Sequence, residues 1–261
     1  MNNPAIEMLK EGHFSRSSTS AFTAQGAAIK TAILILLMSA SFIYTWNIAT
    51  AGFSAGFAPV QGKVPDSISI PPEAMTYAVI GLIGSFVVSL IIIFNMSSAP
   101  ILAPVYSILE GLTLGAISAG FEAKYPGIVF EAIFGTVGAA FTMSVVYSTG
   151  LIKPTRGFAT GLLVMTGGIL ILYSADIIAG FFGTYIGILH GSSIYSIGLQ
   201  FAIVAVASLF LILDFDAVRE AADGQAPKWM EWYAAFSILL TIVWIYIEVL
   251  KLLAKLKSSD D

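Results

Sequence analysis

The chain alternates long apolar runs with short polar breaks. Runs near 20 residues recur, the length a helix needs to cross about 30 Å of hydrocarbon. The first covers about 27–48, "AAIKTAILILLMSASFIYTWNI", with Trp46 placed as an interface anchor. Six more follow at about 75–95, 100–121, 128–152, 157–182, 195–215 and 232–253. "MSSAP", after the second run, is short and uncharged and turns the chain straight back. "KPTR" separates the fourth run from the fifth. Residues 183–194, "GTYIGILHGSSI", are too short and glycine-rich to span. In lipid every backbone polar group must be bonded internally, which leaves helices or a closed barrel. Runs of this length without two-residue alternation predict helices. The expected architecture is an all-α integral membrane protein with seven transmembrane helices. Its predicted divisions are a polar cytosolic or interfacial segment over 1–26, the helical domain over 27–254 and a short polar tail over 255–261. The late onset of the first apolar run does not fit a signal peptide.

Composition strengthens this reading and narrows the chemistry. Of 261 residues, 57% are hydrophobic and 11% charged, against roughly 25% charged in soluble domains. The mean hydropathy is +0.88. The net charge of −4 is small and says nothing about nucleic acid; no basic run is present, and no nucleic-acid partner is expected. The chain has no cysteine, which excludes disulfides and thiolate metal sites. His13 and His190 are too far apart to suggest a ligand spacing. No G-x-S-x-G, H-E-x-x-H, P-loop or G-x-G-x-x-G motif occurs, so no enzyme is expected. A retinal protein would need a lysine in the middle of the seventh span, and Lys251 sits near its end.

Lysine and arginine set the expected orientation. Lys10, Arg16, Lys30, Lys153, Arg156, Arg219 and Lys228 share the N-terminal side, against Lys63 and Lys124 in the loops opposite. That bias predicts the N-terminus inside. Lys251, Lys255 and Lys257 at the C-terminal end oppose it.

Charged side chains at membrane depth cost roughly 2.5–3.5 kcal/mol on insertion scales, so each needs a reason. Glu110 is the deepest, and reads either as an acid hydrogen-bonded to a neighbouring helix or as a cation or proton contact. Asp176 lies within two turns of the outer end and can reach the interface. Asp214 and Asp216 are two positions apart, about 200° around a helix, so only one can face the bundle interior. Asp216 then belongs with headgroups, solvent or Arg219. Glu248 has Lys251 at i+3 and Lys255 at i+7, where a local ion pair is the simplest expectation. Gly111 and Gly115 form a small-xxx-small pair that lets another backbone approach.

These residues carry a family resemblance. "SLFLILDFDAVREA" and "APKWMEWYAAFSILLTIVWIYIEVLKLLAKL" resemble the last two spans of bacterial Bax inhibitor-1-like proteins, the transmembrane Bax-inhibitor-motif family. "EGLTLG" and "IKTAILILLMSASFIYTW" are similar to its third and first spans. The resemblance implies a last helix wrapped by the other six. It also implies a pH-sensitive calcium leak governed by a proton-sharing pair of acids in the sixth and seventh spans. Ungapped matching puts that pair at Asp214 and Glu248. Two carboxylates about 3 Å apart cannot both ionise cheaply, so they retain a proton between them. Ionised carboxylates also supply the hard oxygen ligands Ca²⁺ prefers.

Three departures stand out. The seventh-span acid is Glu rather than Asp. The two acids are 34 positions apart (248 less 214), and their apparent depths differ by about 15 Å at 1.5 Å per residue. Glu110 stands where leak-channel members can have a small residue, and could take over the seventh-span role. The resemblance implies a cation leak in the bacterial cytoplasmic membrane, with Ca²⁺ as permeant ion and no cofactor. Its other branch implies a non-conducting regulator of a membrane protease or stress response, with the lipid bilayer and a membrane protein as partners. A proton-coupled transporter ranks third.

Overall fold

A computed structural model describes residues 21–54 and 71–259. Most of the predicted N-terminal segment, with Lys10, His13 and Arg16, lies outside the described residues. So do residues 55–70, with Lys63, and the last two residues of the tail. The described helices are α1 (Ala24–Ser54), α2 (Pro72–Phe94), α3 (Ala99–Lys124), α4 (Ile128–Ser148), α5 (Arg156–Phe181), the short α6 (Gly187–His190), α7 (Ile194–Asp223) and α8 (Met230–Lys257). All but α6 are long and apolar enough to cross a membrane. Among the described residues the only β pairing is an isolated bridge between Ala21 and Pro227. The seven expected spans are therefore all present as helices.

Their ends differ from expectation for local reasons. "MSSAP" is a single 3-10 turn over Met96–Ser98 that hands directly to α3, where Pro100 occupies the first turn. The fourth span stops at Ser148, short of residue 152, because Gly150 takes a left-handed conformation, φ 68°. The sixth runs eight residues past 215. "AVREAAD" has good helix propensity, and Arg219 pairs with Asp223 at 3.6 Å one turn on. That helix ends only at Gly224.

Large apolar side chains face outward along the spans, as in Phe86, Phe141, Val164 and Ile171. In water this would be a fault, but against acyl chains it costs nothing. α5 buries only Leu162 and is the most peripheral span. α8 contributes Phe236, Leu239, Ile245 and Leu250 to the buried core. α8 packs on α1, α3, α4 and α7. α3 lies against α1 so closely that a Cβ on Gly111 would overlap the Met38 carbonyl and Ser41 hydroxyl, and one on Gly115 the Phe42 carbonyl. Lipid supplies no hydrophobic drive between helices, so such backbone contact is how van der Waals packing is gained.

Candidate functional site

Asp214 sits on the face of α7 that packs against α8, and it is buried. Ser237 Oγ donates to its Oδ1 at 2.6 Å, and Thr241 Oγ1 donates to its Oδ2 at 2.6 Å. Ser237 and Thr241 are four positions apart on α8, which puts both hydroxyls on one stripe. Among the described residues no cation pairs with Asp214. The carboxyl group is thus held by two groups that can each donate or accept a hydrogen bond.

Glu248 occupies a different level. It is buried, and its Oε2 accepts from Tyr173 of α5 at 2.8 Å and from Gln200 of α7 at 2.6 Å. Gln200 also reaches the Glu248 carbonyl at 3.2 Å. Lys251 closes the set at 3.1 Å from Oε1, with its ammonium 4.5 Å from the centre of the Tyr173 ring. Lys251 at i+3 is the local partner the sequence suggests. Lys255 at i+7 instead turns to the Ser196 carbonyl at 3.4 Å. Glu248 lies seven positions beyond Thr241, about 10 Å along the axis. The acid pair implied by resemblance is therefore not formed, and hydroxyls face Asp214 where a second carboxylate was expected.

Glu110 joins neither acid. It is half-buried at the middle of α3, beside the Ser85 hydroxyl of α2, which donates to the Leu82 carbonyl at 3.3 Å. Asp216, expected among headgroups, solvent or Arg219, lies within α7 rather than at its end. α7 continues past it, and its Oδ1 accepts from Tyr147 of α4 at 3.1 Å. Asp176 ties the end of α5 to α6, accepting from the Ile186 amide at 2.9 Å and pairing with His190 at 2.7 Å.

One charged cluster escapes sequence reasoning. Glu231, in the first turn of α8, is 1% exposed and accepts from the Thr23 amide at 2.9 Å and hydroxyl at 3.1 Å. It also forms an ion pair with Lys30 of α1, whose ammonium lies 5.5 Å from the Trp232 ring centre. Gly26 leaves room for the carboxylate, since a Cβ there would overlap it. The Phe22 amide donates to the Ala226 carbonyl at 2.8 Å, so the start of α1 is clasped to the α7–α8 turn. Lys30, a cation inside the first apolar run, was the available signal. Its partner is 201 positions away, beyond any local pattern.

Among the described residues no three His, Asp or Glu side chains are grouped to hold a metal ion. A family model described as "Bax inhibitor 1 like" matches residues 3–258, nearly the whole chain. No curated protein and no solved structure matches the chain.

Proposed function

The chain belongs to the Bax inhibitor 1-like family, and from that premise we propose that it is a pH-sensitive cation leak channel with Asp214 as its proton switch. Ca²⁺ is the permeant ion in this reading. The observation that carries it is a buried carboxyl group between two helices, bound among the described residues only by the Ser237 and Thr241 hydroxyls. A hydroxyl can donate to a carboxylate or accept from a carboxylic acid, so the contact survives either protonation state. What changes is one unit of charge at the α7–α8 contact, with no paired cation to offset it. Such a local change of charge is what biases a two-state packing. Glu110, half-buried and without a paired cation among the described residues, supplies an oxygen ligand on the ion path. Glu248, neutralised by Lys251, anchors α5 and α7 to the last helix. No catalytic step is assigned.

The proposed location is the bacterial cytoplasmic membrane with the N-terminus inside. Two of the lysines opposing that orientation are paired with carboxylates and the third is buried. Lys251 pairs with Glu248, Lys257 with Glu131 at 2.8 Å, and Lys255 is buried. The orienting rule counts charges in short loops.

Purified protein in vesicles loaded with a calcium-sensitive dye tests the reading. Calcium entry that changes with pH supports it. Vesicles no leakier than protein-free ones at every pH would sink it and leave the non-conducting regulator of the same family.

A further inference from the structure

A cavity of about 400 Å³ opens where α3 ends and α8 ends, on the membrane face opposite the start of α1. This falls within the roughly 300–1,000 Å³ of small-ligand sites. Its polar side carries Lys124, Tyr125, Lys255 and Ser258, and its apolar wall includes Ile117 and Phe121.

The charge at this site is unbalanced. Lys255 is only 8% exposed, and among the described residues the one hydrogen bond of its ammonium is the long contact to the Ser196 carbonyl. Lys124 lies against the Tyr125 ring, 5.1 Å from its centre. Among the described residues neither lysine has a carboxylate within 4 Å. Three of the described carboxylates on this side of the bundle are engaged elsewhere. Glu122 accepts from the Gly127 and Val129 amides, Glu131 pairs with Lys257, and Glu248 with Lys251. His190 also lines the cavity, but its Nε2 is taken by Asp176. A buried ammonium without an anion is costly, and none is supplied among the described residues.

We propose that this cavity binds the phosphate headgroup of an anionic phospholipid, with Lys255 and Lys124 on the phosphate and Ser258 donating to it. The apolar wall selects a lipid over a free anion. Ile117 is 36% exposed on the lipid-facing side of α3, so an acyl chain can leave the cavity without crossing a polar surface. The inference does not depend on the leak reading, and its readout is binding.

The test uses the full chain in neutral detergent, with phosphatidylglycerol, phosphatidylcholine or inorganic phosphate added and bound lipid counted by native mass spectrometry. Phosphatidylglycerol should be retained over phosphatidylcholine. Lys124→Gln, at an exposed position, should weaken phosphatidylglycerol about fivefold, the factor expected for one cation near an anionic headgroup. Lys255→Gln should do the same or more, and the exposed Lys124 variant keeps the test intact if the buried one fails to fold. Asp260→Asn with Asp261→Asn should raise phosphatidylglycerol binding by no more than the roughly fivefold per charge that relieved repulsion allows. Equal retention of the two lipids, or no effect of Lys124→Gln, would overturn the proposal. So would inorganic phosphate displacing the lipid completely, which assigns the site to a free anion. A large gain in affinity on removing the two terminal aspartates would also overturn it, because the chain's own end would then be the occupant.

Discussion

Asp214 and Glu248 engage the same last helix at separate levels, Asp214 at Ser237 and Thr241 and Glu248 about 10 Å further along. Each has its own partners, and among the described residues none bonds to both. The two acids therefore do not form a dyad sharing one proton. Sites this far apart without common partners add within roughly 0.3–0.5 kcal/mol. Asp214→Asn, Glu248→Gln and the double variant, compared by thermal unfolding in detergent, should show additive stability changes. A coupling well above that range would mean the two acids interact directly.

The clasp between α1 and α8 should dominate stability at the opposite end. Glu231→Gln leaves Lys30 without its anion in a mostly buried setting, and breaking such a pair costs about 3–5 kcal/mol. The Lys30→Met, Glu231→Gln double variant removes both charges and should recover much of that loss. Melting temperatures of the singles and the double decide the matter. A harmless Glu231→Gln would show that the pair contributes little.

Gly111 and Gly115 should tolerate no side chain. Gly111→Ala forces α3 away from the α1 backbone, and overpacking of this kind costs about 1–3 kcal/mol. Gly138 of α4 has open space where a Cβ would go. Gly138→Ala should be neutral or slightly stabilising, since alanine is the better helix former. Equal effects at the two positions would contradict the packing described.

The spans were readable because each carries its own signal, a run of apolar residues as long as the bilayer is thick. The extension of α7 to Asp223 was not, because its last turns are polar and continue on helix propensity alone. Asp214 stood out as an acid at the end of an apolar stretch, and helical geometry separated it from Asp216. Its partners did not, because Ser237 and Thr241 resemble any small polar residues in a membrane helix. Glu231 looked like part of a polar turn, and only the fold brings Thr23 and Lys30 over it. Ion pairs between distant spans leave no periodic trace, whereas Glu248 with Lys251, three positions apart, does.

The central claim is that the proton on Asp214 sets the conducting state. Asparagine in its place keeps a hydrogen-bonding group between Ser237 and Thr241 but cannot ionise. Calcium flux into dye-loaded vesicles, measured across pH for wild type and Asp214→Asn, tests this most directly. The variant should hold, at every pH, the flux that wild type shows at low pH. An Asp214→Asn protein that keeps the wild-type pH profile would contradict the claim.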